Sequence, residues 1–183
     1  MTEKNRIIRK QFSYTGLFVY KEFFRRLDLW LRDKFYDKKE KGSTEYRHPG
    51  AKQISIMLEP WKKVTDYYKI TLRVEVTVRD MKTVEVDIDG KKQRLNHGTI
   101  ECQISSYLSG DYDGRMDEPD KPFIQFLRHM FESYVYKPIT KKYQEMAVDD
   151  CNDLLLTLQS YLNIFKNKQE ESFESGREHT RYS

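Results

Sequence analysis

Between Tyr68 and Asp80 the chain reads YKITLRVEVTVRD, with Tyr68, Ile70, Leu72, Val74, Val76 and Val78 on one parity and Lys69, Thr71, Arg73, Glu75, Thr77 and Arg79 on the other. Successive side chains of a strand point to opposite faces, so this alternation predicts a strand that is dry on one side and wet on the other. The same parity returns in Ile54, Ile56 and Leu58, in Val84, Val86 and Ile88, and in Ile100, Cys102, Ile104 and Leu108. An antiparallel meander follows, and residues 6–14, with Ile8, Phe12 and Tyr14 on one side, supply a first strand. Asp89-Gly90 suits a two-residue turn that would pair Ile88 with Lys91, Val86 with Gln93 and Val84 with Leu95. Only Leu95 returns an apolar partner, so residues 88–94 are expected to project beyond the covered part of the sheet.

Something helical must cover the dry face. Leu17, Tyr20, Phe24, Leu27, Leu31 and Phe35 recur every three or four positions, which predicts an amphipathic helix over 17–36 with Lys21, Arg25, Asp28 and Arg32 on its polar side. Phe18, Val19, Phe23, Leu29 and Trp30 widen its apolar stripe, so this helix is either deeply embedded or touches a second partner. The run YDKKEKGSTEYRHPG, residues 36–50, has no apolar period and reads as a loop. In the last third, Asp120 can cap a helix carrying Phe123, Phe126, Leu127, Met130, Phe131, Tyr134 and Val135, and Pro138 is expected to break or kink it. A longer helix then places Tyr143, Met146, Ala147, Leu154, Leu158, Tyr161 and Phe165 at helical spacing. The fold class is therefore α+β: an antiparallel meander of about five or six strands, one face covered by an N-terminal helix and two C-terminal helices. Residues 1–168 form a single domain on this reading, and the polar run 169–183 is a disordered tail.

Composition adds a soluble surface over an aromatic interior. Apolar residues make up only 38% of the 183, but aromatics reach 14%, and each buries a large area. No run of 18 or more apolar residues exists, so no transmembrane segment is expected, and the start MTEKNRIIRK lacks the apolar core of a signal peptide. Cytoplasmic localisation is the expectation. Cys102 and Cys151 have no C-x-x-C spacing and read as two buried, reduced thiols.

Charge is uneven along the chain. Residues 1–50 hold 13 Lys and Arg against 7 Asp and Glu, whereas residues 81–120 hold 5 against 9, so the amino-terminal part is the one suited to an acidic partner. Lys4, Arg6, Arg9 and Lys10, then Lys38, Lys39, Lys41 and Arg47, are the candidate partner-binding cations, with Tyr36 and Tyr46 beside them for stacking. At the tip, Lys91, Lys92 and Arg94 face Glu85, Asp87 and Asp89, which makes that hairpin charge-balanced.

Catalytic chemistry finds little material. The loop GDYDGRMDEPD, residues 110–120, holds five carboxylates, but their spacing does not follow a calcium loop, and it reads as a solvated lead into the Asp120 cap. Asp149, Asp150 and Asp153 share one side of the long helix and read as its exposed polar face, with a hydrolytic role only if they line a pocket. His48, His97, His129 and His179 lack ligand spacing, with His97 placed in the turn LNHG. No metal site, cofactor or catalytic residue is assigned.

The order of strand, helix, meander and long terminal helix resembles the helix-grip arrangement over roughly residues 6–166, in which a curved sheet wraps a terminal helix and often encloses an apolar cavity. The segments FSYTGLFVYKEFFRRLDLWL, LEPWKKVTDYYK and KPFIQFLRHMFESYVYKP resemble a group of small uncharacterised archaeal proteins, from which no functional residue carries over. The leading expectation is a non-catalytic binding module whose basic amino-terminal region contacts RNA, a ribonucleoprotein or an acidic protein surface. The alternative, implied by the helix-grip resemblance, is a carrier of an apolar small molecule or lipid, with Phe123, Phe126, Phe131, Tyr134, Tyr161 and Phe165 lining a cavity.

Overall fold

The computed structural model describes residues 4–38, 40–48, 51–88, 91–110 and 136–179. Its elements run β1 Lys4–Phe18, α1 Tyr20–Asp33, β2 Glu40–His48, β3 Ala51–Leu58, β4 Trp61–Lys63, β5 Tyr68–Ile88, β6 Lys91–Gly110 and α2 Tyr136–His179. The six strands form one antiparallel sheet in the order β1-β6-β5-β3-β2, with β4 also on β5. The α+β class and the strand count read from the sequence both hold.

Parity explains the core. Ile70, Leu72, Val74, Val76 and Val78 of β5 lie beside Ile100, Cys102 and Ile104 of β6, all almost completely buried. Against them α2 buries Ala147, Cys151, Leu154, Leu158 and Leu162, and α1 buries Phe23, Leu27, Trp30 and Leu31. Each fully buried aliphatic or aromatic side chain contributes about 1.5–3 kcal/mol of transfer free energy, so these three stripes hold the layers together. Tyr161 of α2 ties the start of α1, donating its hydroxyl to the Val19 carbonyl at 3.1 Å.

The β5–β6 ribbon has the expected register, with Val84 opposite Leu95, Val86 opposite Gln93 and Ile88 opposite Lys91. It bends where the register shifts between Arg79 and Lys82. Asp80 there takes the left-handed conformation, φ 52°, and a Cβ on Gly98 would stand 2.7 Å from the Arg79 carbonyl oxygen, so the bend needs glycine at that close approach. Pairing with β1 stops at Asn96 and pairing with β3 stops at Met81, so the ribbon runs on past both neighbours. At its flank Arg94 meets Glu85 at 3.0 Å, in keeping with a charge-balanced hairpin; the turn residues 89–90 lie outside the described residues.

Several expectations need correction. The segment given as a loop over 36–50 holds β2. This is an edge strand whose Ser43, Thr44, Glu45 and Tyr46 are all exposed, so backbone pairing to β3 holds it and no apolar period is needed. The helix expected over 17–36 spans Tyr20–Asp33: Leu17 and Phe18 belong to β1, and Phe35, at φ 59°, is turned out to solvent. His97 lies within β6 opposite Leu17, not in a turn. The terminal helix is described from Tyr136, with Pro138 in its first described turn, and the helix expected to end or kink at Pro138 lies outside the described residues. Its described span also runs past Lys168 to His179, through Gln169, Glu170, Glu171, Glu174 and Glu178 among other residues. The helix expected after Asp120 and the acidic loop 111–120 lie outside the described residues.

Candidate functional site

Two places gather chemistry, one on each side of α1. On the inner side, the chain leaves α1 through Lys34 to Lys38, and Asp37 makes a two-bond backbone bridge to Trp61, at 2.8 and 3.0 Å. That bridge brings Tyr36 beside Lys62, which stands opposite Ile70 and therefore points to the dry face. Both meet Asp150 of α2. Tyr36 donates its hydroxyl to Asp150 Oδ2 at 2.8 Å, and Lys62 Nζ lies 2.5 Å from the same oxygen. Lys62 Nζ also sits 4.6 Å from the centre of the Tyr36 ring, which stacks on Trp30 with centroids 5.8 Å apart. Trp30 Nε1 donates to Asp153 Oδ2 at 3.1 Å, and Lys34 Nζ reaches that oxygen at 2.7 Å.

The sequence expectation for these carboxylates is corrected. Asp150 is only 6% exposed and Asp153 is intermediate, whereas Asp149 is exposed as expected. Burial and the neighbouring Asp150 carboxylate push the Tyr36 hydroxyl well above the ordinary tyrosine range. The Lys34 hydrogen bond holds Asp153 below the usual carboxylate value, and the same bond raises Lys34. One oxygen of each aspartate is already shared between two donors of the chain itself, so these groups clamp α1, β4 and α2 together.

Among the described residues, none covers the outer side of α1 at Leu29. Between α1 and β3 runs a groove of about 530 Å³ whose floor is Tyr20, Phe24, Leu29, Ile56 and Leu58. Lys21, Arg25, Arg32 and Lys38 stand along its rim, with Asp28 the single carboxylate among the lining residues. Leu29 is 44% exposed, which identifies the part of the wide apolar stripe that the core does not use. Tyr20 and Phe24 are half-buried and packed on each other, ring centroids 4.9 Å apart.

The candidate cations divide between the two edges of the sheet. Lys4, Arg6, Arg9 and Lys10 lie on edge strand β1, exposed, with Arg9 donating to Gln103. Lys38 stands at the groove and pairs with Asp28 at 2.8 Å, while Lys41 and Arg47 belong to the opposite edge strand β2, where at these two positions the backbone alone is described. Lys39 is outside the described residues. The backbone thus places the described members of the two runs at opposite edges of the sheet. Tyr36 is buried and unavailable for stacking, whereas Tyr46 is exposed. Of the proposed cavity residues, Tyr161 is buried against Val19 and Phe23; Phe123, Phe126, Phe131 and Tyr134 lie outside the described residues, as does the side chain of Phe165.

No family model and no curated protein matches this chain. The site is thus read from its own geometry. Among the described residues no group of three or more His, Cys, Asp or Glu could hold a metal ion, and no helix is long and apolar enough to cross a membrane. Lys21, Arg25 and Arg32 were placed on the polar side of α1 by their spacing, but without β3 opposite them the groove they border could not be seen. Lys62 carried no signal, because a lysine at a dry-face position of a three-residue strand breaks the parity that finds such strands.

Proposed function

We propose that this protein is a non-catalytic binding module that receives an acidic partner in the groove between α1 and β3. The observation that carries this reading is the lining of the groove, where four cations stand over an apolar floor with one carboxylate. It keeps the partner at the basic amino-terminal region and moves it from strand β1 to the outer side of α1. Asp150 and Asp153, two of the three carboxylates considered for a hydrolase, are engaged by Tyr36, Lys62, Trp30 and Lys34, which supports a structural role for them.

Binding of poly-glutamate and of single-stranded RNA at low ionic strength tests the assignment. Reversing Arg25, Arg32 and Lys38 to Glu is expected to abolish binding, and reversing Lys4, Arg6 and Arg9 to leave most of it. Equal losses from the two sets would return the partner surface to β1.

A second reading keeps the helix-grip resemblance, with β1 beside the last strand β6 and α2 packed across the sheet. On that reading the apolar floor of the groove serves a carrier of a small apolar molecule. A co-purifying lipid mass in native mass spectrometry, displaced by Leu29→Asp, would favour it over the acidic partner.

A further inference from the structure

The distribution of charge along the groove narrows the kind of partner. Helix α1 has 14 residues, so at about 1.5 Å per residue it offers an edge of about 21 Å. Lys21 and Arg25 stand one turn apart on that edge and Arg32 two turns further on, with Asp28 and Leu29 on the turn between, and Lys38 pairs with Asp28. A single-headed amphiphile needs its cations at one end. A partner with carboxylates repeated along its length uses all of them.

The floor narrows it further. Nucleic-acid bases bind by stacking on open aromatic faces, but Tyr20 and Phe24 are turned against each other, and Phe24 also meets Phe23 edge-on with centroids 5.4 Å apart. What these rings and Leu29, Ile56 and Leu58 present is an apolar strip suited to aliphatic side chains. An apolar strip bordered by cations spread along its length is the complement of a helix with leucine-like residues on one face and Glu or Asp on its flank.

We infer that the groove between α1 and β3 docks an acidic amphipathic helix of a protein partner, a conclusion that rests on the acidic-partner reading above and specifies it. The partner helix lies along α1 with its apolar face on Phe24, Leu29 and Ile56. Its carboxylates meet Lys21, Arg25 and Arg32.

The test uses the full chain and a synthetic 14-residue helical peptide with Leu at the a and d positions of a heptad and Glu at e and g, measured by fluorescence anisotropy. A peptide with Lys in place of Glu is the control. The Glu peptide is expected to bind, with the Lys peptide at least tenfold weaker, and Arg25→Glu with Arg32→Glu is expected to weaken the Glu peptide about tenfold. Leu29→Asp, at an exposed position that leaves folding intact, is expected to remove binding, and Lys82→Glu on the distant ribbon to change nothing.

Binding of single-stranded RNA at the same cations with no binding of the Glu peptide would overturn the helix and keep the acidic partner. Loss of neither ligand on reversing Arg25 and Arg32 would overturn both. Binding of oleate, competed by neither peptide nor salt, would assign the groove to a carrier instead.

Discussion

Two lysine–aspartate pairs flank the same helix and do different work. Lys62 and Asp150 meet at 2.5 Å with side chains 14% and 8% exposed, whereas Lys38 and Asp28 meet at 2.8 Å with side chains 47% and 39% exposed. The contact distances are alike, so water makes the difference. In the buried pair each charge has lost its solvent and depends on its partner, on Tyr36 and on the stacked Trp30 ring. In the exposed pair each charge keeps most of its hydration and can exchange its neighbour for another at little cost. The inner side of α1 is therefore an anchor, and the outer side carries a hydrated pair that can rearrange at little cost.

The largest effect is expected where the anchor is broken. Asp150→Ala leaves Lys62 buried without a counter-charge and Tyr36 without its acceptor, and should lower unfolding stability by about 3–5 kcal/mol. Replacing all three polar members together, Asp150→Leu with Lys62→Met and Tyr36→Phe, should recover most of that loss, because no uncompensated group remains. Urea unfolding of both variants checks the pair. A triple variant as unstable as Asp150→Ala would mean that the cluster stabilises by its charges and not by matching one another.

The two faces of α1 can be compared with one substitution each. Phe23 is about 1% exposed and packs on Phe24 and Tyr161, so Phe23→Ala should cost about 3–5 kcal/mol. Leu29, six positions on, is nearly half-exposed, and Leu29→Ala should stay within about 0.5 kcal/mol while weakening any groove ligand. A large stability loss at Leu29 would show that the outer face is already core.

Much of this comparison was legible in advance. Strict alternation from Tyr68 to Val78 gave the central strand and its parity, because a half-buried strand must alternate, and the two-residue turn read at Asp89-Gly90 gave the ribbon register. Edge strand β2 was not legible, since exposed Ser43, Thr44 and Glu45 carry no burial pattern. The breadth of the stripe on α1 left a deeply embedded helix and one touching a second partner as alternatives, and which residues face inward depended on where the helix begins, since Leu17 and Phe18 belong to β1. Asp150 looked like any acidic residue on a helix. Its burial follows from Lys62 and Tyr36, which lie 88 and 114 positions away in sequence and reach it only through the Asp37–Trp61 bridge.

Alkaline pH should loosen the anchored side first. Burial pushes the Cys102 thiol up to about 12 and the Cys151 thiol up to about 11, both from 9.0, and Tyr36 is raised from 10.0. A raised folded value means that the folded state holds its proton longer than the unfolded state does. Stability is then complete below pH 9 and falls above it, by about 1.4 kcal/mol per pH unit for each group ionised only when unfolded. Melting temperatures measured from pH 8 to pH 10.5 should drop steadily from pH 9, and both thiols should resist alkylation in the native protein at pH 8.

The smallest effect belongs to the exposed pair, and it is the one that separates fold from function. Asp28→Asn removes the single carboxylate of the groove lining and frees Lys38, whose side chain is nearly half-exposed and stays hydrated. Stability should change by less than about 1 kcal/mol, within the range of surface ion pairs. The groove, however, gains a unit of positive charge at its centre, so affinity for an acidic ligand should rise severalfold at low salt and converge with that of the unsubstituted protein as salt is added. A variant that binds an acidic ligand more weakly would mean that Asp28 is needed to hold Lys38 in place. Unchanged affinity across all salt concentrations would mean that the ligand never meets this rim, and the comparison between the two lysine–aspartate pairs would then be one of burial alone.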